Sequence, residues 1–355
     1  MTDADSRSHG VLARWEHILP IGPETPRPSL GEGDTPLVRS RKLVAHCGVD
    51  ELWFKLEACN PTGSFKDRGM VVAVAKAIEE GAKGVMCAST GNTSASAAAY
   101  AAHCGIESFV LVPEGHVAAG KLAQAIAYGS QIIEVAGNFD QALRVARELT
   151  RIHPVALVNS VNPFRIEGQK TASFEICEWL GDAPEVLTLP VGNAGNITAY
   201  WKGFCEAAEL DYASRHPRML GFQADGAAPI VRGRPVENPH TVATAIRIGN
   251  PASWQGATDA RDESQGLIAS VTDDEILAAY QALAKEEGLF VEPASAAGVA
   301  GLMKLTREGQ APGGRAVAVL TGNGLKDPDT ALSTNQQEVR KTEPSIEGVK
   351  SALGW

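Results

Sequence analysis

The chain has 355 residues, 44% of them hydrophobic, and carries a formal net charge of -10. This length allows two domains of about 100–200 residues each, and the hydrophobic content can fill the core of an ordinary globular protein. The negative charge and the lack of basic runs argue against nucleic-acid or acidic-membrane partners, because clustered Lys and Arg carry such binding.

Short strand-like apolar runs alternate with longer helical runs from Glu51 onwards. The first half contains ELWFKLE, FKDRGMVVAVAKAIEEG, GVMCAS, SASAAAYAAHCG, SFVLVP, KLAQAIAYG, QIIEVA and FDQALRVARELTRI. The second half contains EVLTLPV, a glycine-rich turn, a helix from about Ile197, RMLGFQA, TDDEILAAYQALAKEEG and RAVAVLTG. Strands that alternate with helices predict an α/β fold with mostly parallel sheets flanked by helices.

The stretch HPVALVNSVNPFRIEGQK lies between the two halves and is strand-like at first and then turn-rich, which is typical of a domain crossing. In two-domain α/β folds a ligand usually lies at the carboxyl ends of the strands, in the cleft between the domains. Three motifs of this sequence follow predicted strands and therefore fall in such a cleft.

The first motif, NPTGSFKDRGM, places Lys66 at the start of a helix. Thr62 or Ser64 would be the N-cap, which puts Lys66 in the first turn. There the helix dipole and partial burial disfavour a cation and lower the pKa of the amine. Such a lysine can be a neutral nucleophile that forms a Schiff base with an aldehyde. The alternative is a surface lysine paired with Asp67.

The second motif, CASTGNTSAS, enters a helix through several short hydrogen-bonding side chains. Hydroxyl and N–H groups at a helix start can bind a carboxylate, whereas capping the helix needs only one of these side chains. Ordinary N-capping with small residues for tight packing is the alternative. The side chains concerned are Ser89, Thr90, Asn92 and Thr93.

The third motif is the glycine-rich loop from Gly192 to Asn196, between a strand and a helix. Its backbone N–H groups and the helix N-terminus would point at one place, as in a phosphate site. A tight turn without a ligand is the alternative. The loop is neither a Walker A nor a G-x-G-x-x-G motif, although Asp225 follows the next strand at a position where a ribose-binding acid could lie.

The cysteines and the N-terminus indicate the cellular compartment of the protein. None of the six cysteines stands in C-x-x-C spacing, so neither a zinc cluster nor a disulfide framework is indicated. The opening MTDADSRSHG lacks the apolar core of a secretory signal, and no apolar run reaches the roughly 18 residues of a membrane span. We therefore expect a cytoplasmic protein with reduced thiols.

Together and in this order, the three motifs resemble the fold type II pyridoxal-phosphate-dependent enzymes, and within them the threonine synthase family. The resemblance covers nearly the whole chain from Gly31 to Asp329. It is carried by GDTPLV, KLEACNPTGSFKDRGM, ASTGNTSAS, VNSVNPFRIEGQKT, LPVGNAGNITAYWKG, ATAIRIGNPASW, VEPASAAG and LTGNGLKD. It implies a tryptophan synthase β-like fold with two domains, each with a mostly parallel sheet flanked by helices.

The resemblance implies pyridoxal 5'-phosphate as the cofactor and no metal. Lys66 would be the Schiff-base lysine, Phe65 would contact the cofactor, Asn92 would hydrogen-bond its phenolic oxygen, and Thr321 would meet its pyridine nitrogen. The cofactor phosphate would be bound by Gly192, Asn193, Ala194, Gly195 and Asn196.

The substrate implied by the resemblance is O-phospho-L-homoserine, converted with water to L-threonine and phosphate by γ-elimination and β-addition, as the last step of threonine biosynthesis. A phosphorylated substrate needs a second anion site. The substrate carboxylate would be held by Ser89, Thr90, Asn92 and Thr93. The substrate phosphate would be held by Lys55, Asn159, Ser160 and Arg165.

The resemblance also implies the organisation of the protein. Residues 52–158 would form a smaller domain with the lysine and the carboxylate loop, and residues 1–51 together with 159–355 a larger domain that binds the cofactor phosphate. A homodimer is expected, without nucleic-acid or membrane partners.

Alternative interpretations remain at this stage. A threonine or serine dehydratase uses the same lysine, but dehydratases typically carry SGGGL at the phosphate loop and serine near the ring nitrogen, where this chain has GNAGN and Thr321. A non-catalytic small-molecule-binding protein is a remote alternative. Arg165 could instead form a salt bridge at a domain seam, and the role of Asp225 is open.

Overall fold

The computed structural model describes residues 10–115, 119–137, 139–334 and 339–355. The first nine residues, in which we find no secretory signal, lie outside these ranges. Ten strands and thirteen α-helices are present in the described part of the chain. None of the described helices is long and apolar enough to cross a membrane.

The strands form two sheets, one of six and one of four strands. The strands are β1 (Leu37–Arg39), β2 (Glu51–Leu56), β3 (Gly84–Ala88), β4 (Glu107–Pro113), β5 (Gln131–Val135), β6 (Val155–Leu157), β7 (Val186–Pro190), β8 (Arg218–Ala224), β9 (Leu267–Val271) and β10 (Arg315–Leu320). The large sheet has the order β1-β2-β10-β7-β8-β9 and the small sheet the order β5-β4-β3-β6. Every pair is parallel except β1 with β2.

The helices connect the strands and cover the sheets. They are α1 (Gly10–Arg14), α2 (Lys66–Glu79), α3 (Asn92–Cys104), α4 (Ala119–Ala127), α5 (Phe139–Ile152), α6 (Pro163–Leu180), α7 (Gly195–Glu209), α8 (Pro229–Arg232), α9 (Trp254–Glu263), α10 (Asp273–Glu287), α11 (Ala297–Arg307), α12 (Pro328–Thr334) and α13 (Ile346–Leu353). Short 3₁₀ turns include Glu57–Cys59 after β2, Pro293–Ala296 before α11 and Gly324–Lys326 after β10. The mostly parallel α/β architecture predicted from the alternating pattern is confirmed.

The central strands explain why the sequence runs were continuously apolar. All five residues of β3 and all five of β7 are buried, as expected of parallel strands covered by helices on both faces. Helix α6 packs against both α2 and α7 and is largely buried itself, which is why it shows no clear polar face. The long central helix therefore joins the layer over one sheet to the layer over the other.

The predicted boundary at residue 52 cuts through a strand of the large sheet. Strand β2 lies between β1 and β10 and pairs with β10 along its whole length, from Glu51 to Leu56. A sequence pattern indicates a strand but does not reveal its partner, so the sheet to which β2 belongs became clear only from the pairing. The assignment of the two domains to 52–158 and to 1–51 with 159–355 stays a prediction.

Candidate active site

Helix α2 begins at Lys66, as predicted, but its cap differs from the predicted one. The N-cap residue is Phe65, without a side-chain cap, so the prediction of Thr62 or Ser64 is wrong. The hydroxyl of Thr62 instead donates to Asp67 at 2.6 Å, and its backbone N–H donates to the same carboxylate at 2.7 Å. Because the Asp67 carboxylate reaches back to Thr62, it organises the turn before the helix in place of a cap.

The environment of Lys66 lowers its proton affinity. Burial and, as a smaller effect, the positive charge of Arg165 lower the pKa of the amine, Glu292 opposes both, and the result is a pKa of about 7. Asp67 is buried and accepts from Ser96 at 2.6 Å in addition to Thr62, and it forms no ion pair with Lys66. The alternative of a surface lysine paired with Asp67 is therefore wrong, and the predicted lowering of the pKa is confirmed.

Asn92 is the first residue of α3 and faces a buried carboxylate. Its Nδ2 donates to Oε1 of Glu292 at 3.1 Å and to Oε2 of the same carboxylate at 3.2 Å. Burial raises the pKa of Glu292, while the hydrogen bond from Asn92 and the charges of Lys326 and Lys66 lower it. Asn92 and Lys66 thus share one buried acidic neighbour.

The other polar residues of the second motif line the start of α3. Ser89, Thr90 and Thr93 are partly exposed, and the hydroxyl of Ser89 accepts the Gly91 N–H at 3.3 Å. The N-cap residue is Gly91, and no side chain caps the helix. The alternative of ordinary N-capping by these hydroxyls is therefore wrong, and the helix start keeps N–H groups that no side chain occupies.

The glycine-rich loop joins β7 to α7 and has the geometry of an anion site. Ala194 is the N-cap residue with φ of +67° and makes no side-chain cap. Both amide atoms of Asn196 are buried without a hydrogen-bond partner. A Cβ on Gly192 would lie 2.9 Å from the Ile246 Cα, which explains the glycine there. Unpaired buried donors at a helix N-terminus suit a phosphate.

The side chain of Asn193 fixes this loop to neighbouring segments. Its Oδ1 accepts the Ala252 N–H at 2.6 Å, and its Nδ2 donates to the Ser160 hydroxyl. Ser160 therefore lies beside the phosphate loop, so two segments that are far apart in the sequence meet there. This contact brings one predicted substrate-phosphate residue next to the predicted cofactor-phosphate residues.

Thr321 lies directly after β10 and next to the lysine segment. Its side chain is buried, and its hydroxyl is 2.9 Å from the hydroxyl of Ser295. Its carbonyl oxygen accepts the N–H of Phe65 at 3.0 Å, which places it beside the start of α2. A neutral hydroxyl at this point can donate to an unprotonated ring nitrogen.

Arg165 is a buried cation with donors to spare. Its Nη1 donates to the Val158 carbonyl at 2.8 Å, whereas Nε and Nη2 have no partner. Burial lowers the pKa of its guanidinium to about 10. In the described part of the chain no carboxylate lies within 4 Å of it, so the alternative of a salt bridge at a domain seam is wrong. Two unpaired charged donors beside Lys66 suit an anionic ligand.

Two of the predicted substrate-phosphate residues have other partners. The ammonium of Lys55 donates to Glu175 at 2.7 Å and to the Thr35 carbonyl at 2.8 Å. The amide of Asn159 both donates to and accepts from the backbone of Ala88 at 2.9 Å, which fixes the end of β3. Neither side chain has the unpaired donors that Arg165 has.

Sequence reasoning missed Glu292 and Ser295, which both lie in VEPASAAG. That segment carried part of the resemblance, but no role was assigned to its residues. A glutamate between apolar residues directly before a helix was the available signal, because a buried carboxylate is rare without a specific partner. Asp225, whose role was open, is exposed and accepts from Ser270 at 3.2 Å.

The residues present fit pyridoxal phosphate. The arrangement offers an amine that is neutral near pH 7, an amide beside it, a phosphate loop with unpaired donors and a hydroxyl for a ring nitrogen. The unpaired nitrogens of Arg165 provide a further set of donors for an anion.

Comparisons with known proteins agree with this geometry. Residues 28–322 match the family described as pyridoxal-phosphate dependent enzyme. The threonine synthase of Bacillus sp. (strain ULM1) is 56% identical over 345 residues, 97% of each chain. That of Halalkalibacterium halodurans is 58% identical over 330 residues, 93% of each chain. The structure of maize serine racemase superimposes with a TM-score of 0.72 at 23% identity, covering 84% of this chain and 91% of that one, and confirms the fold class.

Proposed function

Because the chain belongs to the family of pyridoxal-phosphate-dependent enzymes, we propose that it is a lyase that converts O-phospho-L-homoserine and water to L-threonine and phosphate. This is the threonine synthase reaction. The observation that carries the proposal is the presence of two sets of unpaired donors for anions, one at the 192–196 loop and one on the buried Arg165. A substrate without a phosphate would need only the first of them.

Pyridoxal phosphate, when bound, supplies the electron sink that stabilises negative charge at carbon atoms near the substrate amine. The residues that would hold it are Lys66, Phe65, Thr321 and the 192–196 loop. Asn92 would donate to its phenolic oxygen. Their part is to bind and orient the cofactor.

Lys66 would act as the general base, first at Cα and then at Cβ of the substrate. A pKa of about 7 suits this role, because a substantial fraction of the amine is then neutral at physiological pH and its conjugate acid still gives up a proton easily. Loss of the Cβ proton would allow the γ-phosphate to leave with the electrons of the Cγ–O bond. A proton returned to Cγ would complete the methyl group. Water would then add its hydroxyl at Cβ and give its proton to the phosphate, and Cα would regain a proton.

The anionic ends of the substrate would meet different elements. Ser89, Thr90, Asn92 and Thr93 at the start of α3 would hold the carboxylate. Arg165 and Ser160 would hold the leaving phosphate, whose developing charge the guanidinium stabilises. Lys55 and Asn159 could contribute only by exchanging their present partners, Glu175 and Ala88.

We further propose that the protein is a homodimer located in the cytoplasm and that it has no nucleic-acid or membrane partner. These points follow from the family resemblance and from the acidic composition. Sedimentation of the cofactor-loaded protein at twice the mass of one chain would support the dimer, and sedimentation at one mass would contradict it.

The deciding experiment gives the cofactor-loaded protein O-phospho-L-homoserine in one tube and L-threonine in another. Threonine, phosphate and 2-oxobutanoate are then assayed. We expect threonine and phosphate in equal amounts in the first tube and far slower oxo-acid formation in the second. Rapid 2-oxobutanoate from threonine without phosphate release in the first tube would instead identify a dehydratase. No turnover in either tube would favour a binding protein.

A further inference from the structure

Glu292 is a buried carboxylate that none of the roles above uses. Only 6% of the residue is exposed, and its side chain lies among Asn92, Lys66 and Lys326. A buried carboxylate costs folding free energy unless it is paired and hydrogen-bonded. Its position beside the predicted cofactor contacts therefore calls for an explanation.

The two contacts between Glu292 and Asn92 decide which way the amide of Asn92 faces. An ionised carboxylate only accepts hydrogen bonds, so it selects the NH₂ end of the amide and repels the oxygen end. Both carboxylate oxygens of Glu292 lie within hydrogen-bond distance of Asn92 Nδ2, at 3.1 and 3.2 Å. The second N–H of the planar amide then points away from Glu292 and remains for another acceptor.

The backbone around Glu292 holds the carboxylate at this place. The Glu292 N–H donates to the Gly322 carbonyl at 3.0 Å, and its own carbonyl accepts from Ser295 at 2.9 Å. A Cβ on Gly322 would lie 2.3 Å from Oε1 of Glu292, so the carboxylate occupies space that only a glycine leaves open. Gly322 follows Thr321, which ties Glu292 to the segment predicted to meet the ring nitrogen.

Glu292 also shapes the charge around the lysine. The charged groups that act on Lys66 are Arg165, which lowers its pKa, and Glu292, which raises it. The charged groups that act on Glu292 itself are Lys66, Lys326 and Asp327. Removing the charge of Glu292 leaves Lys66 facing Arg165 without compensation.

We propose that Glu292 is a positioning residue of the active site, which orients the Asn92 amide toward the cofactor and supplies the negative charge that faces Lys66. The proposal rests on the family membership and on the proposed place of Asn92 at the cofactor. The role of Glu292 additionally requires that its two hydrogen bonds with Asn92 affect cofactor binding.

The test uses cofactor-free protein and pyridoxal phosphate without substrate, so it is independent of the proposed reaction. The variant Glu292→Gln keeps the size of the side chain but can face Asn92 with either end and has no charge. We expect about tenfold weaker cofactor binding, the equivalent of one hydrogen bond. We also expect the pH midpoint of cofactor uptake to fall, because Lys66 loses the opposing negative charge of Glu292. The exposed control Glu286→Gln should change neither quantity.

Two further variants separate positioning from general damage to the fold. The variant Gly322→Ala keeps the charge of Glu292 but pushes its carboxylate from its position. We expect weaker cofactor binding in this variant also. It replaces Glu292→Gln as the test if Glu292→Gln fails to fold. In an Asn92→Ala background, Glu292→Gln should weaken cofactor binding by less than twofold at a pH well above the Lys66 midpoint, because there only its effect through Asn92 remains. An equal loss in both backgrounds, or wild-type binding with an unchanged pH midpoint in Glu292→Gln, would overturn the proposal.

Discussion

At the scale of the single residue, the chemistry of this site comes from side chains whose ordinary properties are changed by burial. Lys66, Arg165 and Glu292 are all driven by burial toward their neutral forms. Such shifts cluster at functional sites because reactive groups need unusual proton affinities. Their placement gives the Lys66 amine, whose pKa is about 7, two charged neighbours, the Arg165 cation and the Glu292 anion.

The pH dependence of cofactor uptake measures the state of Lys66 directly. Only the neutral amine attacks the cofactor aldehyde, and its fraction grows as pH rises through the pKa. We therefore expect the uptake rate to rise with a midpoint near 7 and then to level off, far below the ordinary 10.5 of lysine. Stopped-flow absorbance gives the midpoint.

Lys66→Ala should show no turnover, and mass spectrometry after borohydride reduction should find no attached cofactor. Attachment of the cofactor in that variant would contradict the role of Lys66.

Arg165→Ala tests the second anion position. Loss of a charge-assisted contact should raise the KM for O-phospho-L-homoserine by about 10- to 100-fold, while the cofactor Kd stays unchanged. The pH midpoint of cofactor uptake should rise, because Lys66 loses a neighbouring cation. This change is opposite to the one expected for Glu292→Gln. The exposed control Arg41→Ala should leave KM unchanged. Loss of cofactor binding in Arg165→Ala would show that this arginine serves the cofactor anion instead.

At the scale of secondary-structure elements, a buried ion network holds the catalytic helix in place. Arg68, two residues after Lys66, donates to Glu57 at 2.8 Å and to Glu175 at 2.7 Å, and Lys55 completes the network. It thereby links α2 with α6, with β2 and with the turn after β2. Because all four side chains are buried, each charge depends on its partners for stability. This network engages the ammonium of Lys55, which the sequence predicts at the substrate phosphate.

Arg68→Ala should destabilise the fold strongly. It leaves two buried carboxylates without their main partner, which typically costs about 3–5 kcal/mol in the free energy of unfolding. Urea denaturation of the cofactor-free protein measures this cost. The control Arg261→Ala removes a surface pair with Asp262 and should cost less than about 1 kcal/mol. Equal costs for the two variants would contradict a stabilising role for the network.

The same variant should change the acid sensitivity of the protein. Burial alone would raise the pKa of Glu175, but Arg68 and Lys55 outweigh it and hold the pKa well below its usual range. A group with a lowered pKa stabilises the fold above its unfolded value and loses this contribution as pH falls. The free energy of unfolding should therefore fall as pH drops below 4.5 in the wild type, and less steeply in Arg68→Ala.

At the scale of the whole molecule, the candidate site is assembled from both sheets and their helices. Lys66 and Asn92 begin helices that pack together, whereas the 192–196 loop and Thr321 follow strands of the six-stranded sheet. Parallel strands end at one edge, so loops that are far apart in the sequence converge there. A ligand bound at this edge would hold the two parts of the chain together.

Cofactor binding should accordingly stabilise the whole chain. At a cofactor concentration of 100 times Kd, the linkage relation gives about 2.7 kcal/mol of added stability. We expect Tm to rise with cofactor concentration in differential scanning calorimetry, and to rise less in Lys66→Ala, which keeps the phosphate loop but not the amine. A Tm that does not depend on cofactor concentration in the wild type would contradict a site shared by both sheets.

Part of the site could be predicted from the sequence because it is local. The helix start at Lys66, the start of α3 and the loop before α7 each depend on a few neighbouring residues and on the strand before them. Hydrogen bonds between distant segments have no such local signal. The predicted N-cap was wrong for a different reason, because within the same turn Thr62 bonds to Asp67 instead of capping the helix.

The sequence by itself determined the α/β class and the order of strands and helices, since periodicity is written in local order. Its motifs carried the resemblance that implied the family and the cofactor, and the comparisons agree with both. Only the tertiary structure decided that Lys55 pairs with Glu175, that Asn159 fixes β3, that Arg165 keeps unpaired donors and that Glu292 faces Asn92. The physical reason is that burial and charge act through space. A side chain's proton affinity and partners are set by residues that the fold, and not the chain order, places beside it.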